Sequence, residues 1–312
     1  MATANQILSE TFGNRSFSRN EIWSTLKEHN VPRKEIAAFI DNPENKAARG
    51  VYRVAGNTTP AKMTAKQAKE TDAEIEARIT DRFDILGLMS GGAAIGSTRA
   101  FIVSGPPGLG KTHTVMETIA ASGKVATCLT GNASAVGLYK ALYSTCGRGQ
   151  VLVIDDCDSV FFDAVALNLL KAACDSTKRR VIRWGTEYSF KGEEVPNEFE
   201  FEGSVIFITN LDFDSLIASN NKLSPHVEAL MSRAHYLSLA IHSRRDYIVR
   251  IKSVVTKMYG KTEATELVAF VEENADNLRE LSIRTLVKLS QLRESTSDWK
   301  RIAKVTMCLN GK

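Results

Sequence analysis

The sequence contains a glycine-rich segment, GPPGLGKT at residues 105–112, whose residue types can bind phosphate. It has the G-x-x-x-x-G-K-T pattern of a phosphate-binding loop, in which backbone N–H groups surround the phosphate oxygens. Lys111 is expected to reach the β- and γ-phosphates of a nucleotide, and Thr112 to offer its hydroxyl to Mg²⁺. The predicted nucleotide-binding set is Gly105, Pro106, Pro107, Gly108, Leu109, Gly110, Lys111, Thr112 and His113. The alternative is a glycine-rich turn that binds nothing.

Two adjacent carboxylates, Asp155 and Asp156, follow the apolar run at residues 151–154. Ligands of open parallel sheets bind at the carboxyl ends of the strands, so both side chains are expected to face the phosphates. Asp155 is the predicted Mg²⁺ ligand together with Thr112, and Asp156 is predicted to polarise the attacking water. The alternative is that the two carboxylates only cap a helix that begins near Ser159.

A third polar side chain, Asn210, ends the predicted buried strand at residues 205–210. Its amide is expected to orient the attacking water beside the γ-phosphate, although asparagine is also a common turn former. Residues 224–233 then predict a helix that ends in Arg233, and residues 235–239 predict a further strand. The predicted site therefore draws its side chains from several strand ends.

Strand and helix patterns alternate around these residues. The apolar residues 100–103 predict a strand, and residues 113–121 predict a helix whose N-terminus adds partial positive charge beside a bound phosphate. Residues 124–130 predict the second strand, and residues 132–144 predict the next helix. This alternation predicts a parallel sheet flanked by helices.

The composition indicates a folded chain with more than one domain. The sequence has 312 residues, 43% of them hydrophobic and 24% charged, with a net charge of +4 and a pI near 8.7. This charge permits contact with nucleic acid without requiring it. The five cysteines, at positions 128, 146, 157, 174 and 308, predict buried thiols in a reducing compartment. No long apolar run or signal-like N-terminal segment is present, so we expect a cytoplasmic protein without membrane contact.

The N-terminal region predicts a small separate domain. Residues 18–29 and a segment that opens at Pro32 have helical patterns, and residues 50–54 predict a short strand. This outline matches a helix-turn-helix or winged-helix domain. The candidate phosphate contacts are Arg33, Lys34, Arg49 and Arg53. The alternative is a module that docks a protein partner.

Together these motifs resemble the AAA+ ATPase family over residues 76–312. GPPGLGKT is similar to the family's Walker A motif, and VLVIDD is similar to its Walker B motif. Asn210 resembles the sensor 1 residue, and Arg233 resembles the arginine finger that reaches the ATP of a neighbouring subunit. Arg284, in LSIRTLVKL, resembles the sensor 2 arginine that touches the γ-phosphate, with Arg279 as the nearby alternative.

The resemblance implies an α/β fold with a P-loop AAA+ domain, whose parallel sheet has the strand order 5-1-4-3-2, and a C-terminal helical lid. Four helical patterns, at about 243–258, 262–274, 282–293 and 296–308, fit such a lid. The predicted domains are the nucleotide-binding domain at 76–242 and the lid at 243–312, which the resemblance implies, and a small helical, winged-helix-like domain at 1–56 with a linker at 57–75, which the local patterns predict. The implied ligands are ATP and Mg²⁺, and the implied assembly is a homo-oligomeric ring such as a hexamer. The implied catalytic residues are Asp156, Asn210, Arg233 and Arg284.

Two departures from the common family pattern bear on activity. Asp156 stands where the Walker B motif usually has glutamate, so hydrolysis is expected to be slow or differently arranged. Residues 178–203 predict a hairpin with Lys191 and Gly192 at its turn. This hairpin resembles an insertion in the AAA+ branch that includes the superfamily 3 helicases, which implies that Lys191 touches a translocated strand. An exposed surface hairpin is the alternative.

The sequence therefore predicts an ATP-hydrolysing AAA+ protein that forms a ring or arc and acts on DNA or RNA, as a helicase, translocase or loader does. Contact with nucleic acid is expected through the Lys191 hairpin and the N-terminal domain. The alternative is an ATP-controlled protein-remodelling factor or assembly scaffold with slow hydrolysis and a protein partner. The pattern is also similar to AAA+ proteins of tailed bacteriophages. A small-molecule kinase does not explain Arg233 or Arg284.

Overall fold

The computed structural model describes residues 4, 7, 8, 17–29, 31–41, 46–48, 51–52, 70–185, 195–218 and 224–309. Contacts divide the chain into two compact units, Met1–Glu70 and Thr71–Lys312. The second unit holds every residue predicted for the nucleotide site.

The described part of the first unit includes two short helices and a small antiparallel sheet. Its elements are β1 (Phe17–Ser18), α1 (Arg19–Glu28), α2 (Arg33–Asp41), β2 (Lys46–Ala48) and β3 (Val51–Tyr52). Strand β3 lies between β1 and β2. The helices pack through apolar residues that recur on one face of each, among them Ile22, Leu26, Ile36 and Phe39. Arg33 and Lys34 are exposed at the start of α2, whereas Arg49 and Arg53 lie outside the described residues.

The second unit begins with a long helix that the sequence patterns did not indicate. Helix α3 (Asp72–Ala94) starts within the range 57–75 that was predicted to be a linker. Thr71 caps it through a reciprocal capping box with Glu74, in which each side chain accepts a hydrogen bond from the other residue's backbone N–H. Its buried residues, including Ile79 and Leu86, pack against one face of the central sheet. Helix α3 is therefore an integral part of the nucleotide-binding unit.

Five parallel strands form the central sheet. They are β4 (Ala100–Ser104), β5 (Ala126–Thr130), β6 (Val151–Asp155), β9 (Ser204–Thr209) and β10 (His235–Ser238). Their order across the sheet is β10-β4-β9-β6-β5. Numbered within the sheet along the chain, this is 5-1-4-3-2, so the predicted fold class is confirmed. The central strands β4 and β9 are buried along their whole length, as their unbroken apolar runs predict.

Helices cover both faces of this sheet. They are α4 (Lys111–Ala121), α5 (Ala135–Ser144), α6 (Ala164–Ala173), α7 (Phe213–Ala218) and α8 (Ser224–Met231). The helix expected near Ser159 is instead a short 3₁₀ turn at Asp158–Phe161, and α6 begins only after Asp163, whose carboxylate caps it. Asp155 and Asp156 therefore do not cap that helix.

A two-stranded antiparallel pair lies between α6 and β9. Strands β7 (Val181–Arg183) and β8 (Glu198–Glu200) pair directly, with Ile182 opposite Phe199. The buried guanidinium of Arg180, just before β7, donates to the carbonyls of Ala173 and Gly203 at 2.7 and 2.9 Å. These bonds connect the start of the pair to the end of α6 and to the residue before β9. Residues 186–194 between these strands, including Lys191 and Gly192 that were predicted at the turn, lie outside the described residues.

A helical lid ends the unit. It consists of α9 (Arg244–Met258), α10 (Lys261–Glu273), α11 (Ile283–Ser295) and α12 (Trp299–Met307), around a separate apolar core. Across the residues described by the structure, no helix combines the length and apolar character needed to cross a membrane. The expectation of uniformly buried thiols is wrong for Cys128, which is exposed because β5 is an edge strand with exposed side chains.

Candidate nucleotide-binding site

Most of the predicted site residues converge at the carboxyl ends of three adjacent strands, β4, β9 and β6. A cavity of about 190 Å³ opens there. Its lining residues are Pro107, Gly108, Leu109, Gly110, Lys111, Thr112, His113, Asp155, Asp156, Asn210, Ile283, Arg284 and Val287. Loop, carboxylates, amide and lid arginine thus share one cavity, although they are up to 177 residues apart in sequence, from Pro107 to Arg284.

The glycine-rich loop needs glycine at two positions where the backbone is left-handed. Gly108 has φ of 72° and Gly110 has φ of 92°, a region that costs other residues about 1–2 kcal/mol. Gly108 also lies against the lid, because a Cβ there would be 2.6 Å from the Cβ of Ser282. The backbone N–H of Ile283 donates to the Gly108 carbonyl at 2.8 Å. The loop and the lid are therefore in direct main-chain contact.

Lys111 is buried at the first position of α4, under the loop. Its Nζ donates to the carbonyls of Gly105 and Pro106, at 2.5 and 2.9 Å, and to Oδ1 of Asn210 at 2.9 Å. Burial lowers the pKa of Lys111 to about 8, and Asp156 and Asp155 oppose this shift. Gly105 and Pro106 do not line the cavity. Their carbonyl oxygens instead accept hydrogen bonds from Lys111 and hold its ammonium group in place.

Thr112 and Asp155 form the predicted metal-binding pair. The Thr112 hydroxyl donates to Oδ2 of Asp155 at 2.8 Å. Burial raises the pKa of the Asp155 carboxyl, and the Thr112 hydrogen bond opposes the shift. Mg²⁺ prefers oxygen ligands and is commonly held by one or two protein groups plus substrate phosphates. The hydroxyl and carboxylate oxygens of this pair fit a Mg²⁺ ion whose remaining ligands would come from phosphate and water. The described residues contain no cluster of three or more His, Cys, Asp or Glu side chains suited to a metal.

Asp156 has an unusual backbone conformation at the end of β6. Its φ is 48°, in the left-handed region, and its N–H donates to the carbonyl of Ile208 on the neighbouring strand β9 at 3.1 Å. Asp and Asn enter this region more readily than other residues with a side chain. Asn210 Nδ2 donates to Oδ1 of Asp156 at 2.8 Å. The Asn210 amide therefore bridges Lys111 and Asp156, with one end on each.

Two functional candidates were not identified from the sequence, Asp158 and Thr209. The Thr209 hydroxyl donates to Oδ1 of Asp158 at 2.7 Å. Burial raises the pKa of Asp158, and charge interactions link this carboxyl to Asp156 and Lys111. The position of Asp158, two residues after Asp156 in the run IDDCD, is the sequence feature that places it near the site. Thr209 immediately precedes Asn210 in the same way.

The lid contributes Arg284 and not Arg279. Arg284 lines the cavity one residue after Ile283, which contacts the loop. Arg279 instead donates through Nε to the carbonyl of Cys308 at 3.1 Å, which ties it to the end of the lid. Ser282 caps α11, with its Oγ accepting from the N–H of Arg284 at 3.1 Å. The geometry therefore supports Arg284 as the sensor 2 candidate.

Arg233 does not line this cavity. It follows α8, and its Nη1 donates to the carbonyl of Ala229 at 2.6 Å. Its Nε lies 3.6 Å from Oδ2 of Asp175, with a third of the Arg233 side chain exposed. His113, in contrast, lines the cavity and lies 3.4 Å from Glu117. The site residues of this chain thus gather around one cavity except Arg233, which is held elsewhere, and Lys191, which is not among the described residues.

Fold and site define a P-loop α/β protein with the sheet order and helical lid of an AAA+ domain. No known protein-family model matches the chain. The chain is 33% identical over 268 residues to the uncharacterized 36.7 kDa protein in the nrdC-mobD intergenic region of Enterobacteria phage T4, covering 82% of each protein. It belongs to the family of that phage protein.

Solved structures with similar folds include two from bacteria. The RuvB Holliday junction branch migration motor of Thermotoga maritima has 14% identity and a TM-score of 0.40, over 74% of this chain and 64% of that one. NtrX from Brucella abortus in complex with ATP has 14% identity and a TM-score of 0.38, over 74% of this chain and 50% of that one. The chain thus spans less than two thirds of either structure.

Proposed function

We propose that this protein is a Mg²⁺-dependent ATPase of the AAA+ type. The observation that carries the proposal is the cavity shared by the glycine-rich loop, Lys111, the carboxylates Asp155 and Asp156, and Arg284. A phosphate cradle alone is compatible with many activities. A phosphate-binding loop combined with the Mg²⁺-binding residues Thr112 and Asp155, and with Arg284 as a second basic group, fits a triphosphate whose terminal phosphate is to be cleaved.

Each side chain has a role that follows from its contacts. Lys111 is the charge that faces the terminal phosphates, and Thr112 with Asp155 would hold Mg²⁺. Mg²⁺ would neutralise charge on the phosphate oxygens. Asp156 accepts a proton from the attacking water or polarises it, and Asn210 keeps Asp156 in place through its 2.8 Å hydrogen bond.

Arg233 fits a site shared between subunits. It is partly exposed and lies outside the cavity of its own chain, as expected for an arginine that completes the site of a neighbour. Its pairing with Asp175 holds the guanidinium at the surface of the unit. We therefore propose a homo-oligomeric ring or arc, with a hexamer as the expected closed form.

Mutation and mixing test these roles. Lys111→Ala should lose ATP binding, whereas Lys124→Ala, which removes an exposed lysine outside the site, should keep it. Arg233→Ala should bind ATP and lose most turnover, whereas Arg301→Ala, which removes an exposed arginine also paired with an aspartate, should turn over normally. Mixing Arg233→Ala with Asp156→Asn should restore part of the activity, because some interfaces then combine an intact Arg233 with an intact Asp156. Normal ATP binding by Lys111→Ala would show that the site is misassigned.

DNA or RNA is the proposed substrate on which the ATPase acts, through residues around Lys191 between β7 and β8 and through the first unit. The stem of this pair is not a basic surface by itself, since Arg179 pairs with Glu200 and Arg183 with Glu198. Contact is therefore assigned to residues near Lys191 and to Arg33 and Lys34 on α2. ATPase rates with and without single- and double-stranded DNA or RNA test this, and stimulation should fall steeply with salt.

An assembly scaffold with slow hydrolysis is the second candidate, and Asp156 favours it. The carboxylate of Asp156 is one methylene shorter than the usual glutamate, and Asn210 already occupies one of its oxygens. ATP-dependent assembly with no stimulation by nucleic acid would support the scaffold and exclude the motor.

A further inference from the structure

The turn that carries Asn210 is fixed by side-chain hydrogen bonds on both sides. The Thr209 hydroxyl accepts from the N–H of Leu211 at 3.0 Å and donates to Oδ1 of Asp158 at 2.7 Å. The Ser104 hydroxyl, at the end of β4, donates to the carbonyl of Leu211 at 2.6 Å. The residues immediately before and after Asn210 are thus held by groups from β4 and from the segment after β6.

Burial makes these hydrogen bonds hard to replace. Thr209 is fully buried, with 0% exposure, and Ser104 has 4%. A buried hydroxyl or N–H that loses its partner keeps its full desolvation penalty. Because the Thr209 hydroxyl donates to Asp158, its lone pair is free to accept from Leu211, and the two bonds strengthen each other. Asp158 therefore sets the direction of the hydroxyl as well as accepting from it.

Asn210 depends on this turn because its amide has to satisfy two partners of opposite character. Its Oδ1 faces the ammonium of Lys111 at 2.9 Å, and its Nδ2 faces the carboxylate of Asp156 at 2.8 Å. Rotation of the amide about its own axis would place a donor on Lys111 and an acceptor on Asp156. Because both bonds come from one amide, a displacement of the backbone at Asn210 disturbs its contacts with Lys111 and with Asp156 together.

We propose that Asp158 and Thr209 are positioning residues that hold Asn210 in register with Lys111 and Asp156. Neither side chain touches the cavity directly, and both act through the Thr209–Leu211 turn. Asp158 is thus a third carboxylate of the site with a task different from those of Asp155 and Asp156. This inference rests on the proposed ATPase activity.

Paired substitutions at the two positions test the proposal. Thr209→Val, which is nearly isosteric but lacks the hydroxyl, and Asp158→Ala should each lower kcat about tenfold, with KM for ATP changed less than about twofold. Thr209→Ser and Asp158→Asn keep a hydroxyl and an acceptor oxygen, so each should retain most of the activity. Asp212→Ala is the control, because Asp212 accepts from Ser215 at 2.6 Å one turn further on and does not hold Asn210. It should change thermal stability without changing kcat.

A double-mutant cycle separates positioning from general destabilisation. In an Asn210→Ala background, Thr209→Val and Asp158→Ala should cause no further loss of kcat, since the group they position is gone. Full additivity would overturn the proposal, and so would wild-type turnover in both single variants. If Thr209→Val does not fold, Asp158→Ala decides, because that side chain is only partly buried. If the wild-type protein hydrolyses no ATP, the proposed function fails, and a crystal structure of Asp158→Ala then tests positioning by whether the Asn210 amide leaves Lys111.

Discussion

Substitution of Gly108 by alanine tests how the loop and the lid fit together. Alanine would cost about 1–2 kcal/mol for the left-handed backbone at φ of 72°. It would also place a Cβ 2.6 Å from the Cβ of Ser282. Ser282 has 1% exposure and caps α11, so its Cβ cannot rotate away and the lid has to move. Overpacking of this kind adds about 1–3 kcal/mol.

Gly131→Ala is the matched control for backbone strain. Gly131 has φ of 78° and no atom within 4 Å of the position that a Cβ would take, so its substitution incurs only the cost of the backbone. At about 2–4 °C of Tm per kcal/mol for a unit of this size, Gly131→Ala should lower Tm by a few degrees and leave ATP binding intact. Gly108→Ala should lower Tm by about twice as much or more and should weaken ATP binding at least tenfold. Thermal unfolding by circular dichroism and titration with a fluorescent ATP analogue measure the two effects.

Ser282→Gly provides the decisive background. This substitution removes the opposing Cβ. Because glycine is a tolerated helix N-cap, it should lower the stability by only about a few tenths of a kcal/mol. Gly108→Ala should therefore be milder in Ser282→Gly than in the wild-type protein, by about the overpacking term of 1–3 kcal/mol. An equal loss of Tm and of ATP affinity in both backgrounds would refute the steric argument and leave backbone strain as the whole effect.

Further predictions concern single side chains of the site and one thiol. Because burial lowers the pKa of Lys111 to about 8, ATP affinity should fall between about pH 7 and pH 9 as the amine loses its proton. Over the same pH range the free energy of unfolding without ATP should rise, because the unfolded chain binds more protons than the folded one. Calorimetric titration measures the ATP affinity, and urea unfolding measures the stability. Arg284→Ala should weaken ATP binding, while Arg279→Ala should lower the Tm of the lid and leave affinity unchanged; the reverse pattern would exchange their roles. Asp156→Glu should lower the free energy of unfolding by about 1 kcal/mol more than Asp156→Asn does, because glutamate adopts a φ of 48° less readily than asparagine. Equal urea midpoints of the two variants would contradict this. In the native protein, a maleimide should label Cys128 first among the five cysteines, and mass spectrometry identifies the modified peptide.

Motifs that lie at strand ends were predictable from the sequence because their positions are set by local patterns. The run VLVIDD determines both a buried strand and the carboxylates that follow it, so the local sequence suffices to place Asp155 and Asp156 at the sheet edge. The order of the sheet followed from the family resemblance and is confirmed. Local pattern and tertiary arrangement agree in this part of the chain.

Contacts between distant segments were not predictable in the same way. Asp158 and Thr209 are 51 residues apart, and nothing in either local sequence indicates that one accepts a hydrogen bond from the other. The choice between Arg279 and Arg284 also depended on tertiary structure, because both lie near the start of α11 and only the fold brings Arg279 to the carbonyl of Cys308. Helix α3 was missed because its amphipathic pattern is weak and it lies next to a polar, lysine-rich segment.

The hydrogen bond from Ile283 to Gly108 joins main-chain atoms only. Substitution of either side chain cannot remove its donor or acceptor, apart from a proline at position 283. Substitutions can therefore accumulate at almost every residue of the lid surface without breaking the Ile283–Gly108 hydrogen bond, provided that position 108 remains glycine and position 282 remains small. Distant members of the family should accordingly keep this contact between loop and lid after their other lid contacts have diverged, and an alignment of such members would test this.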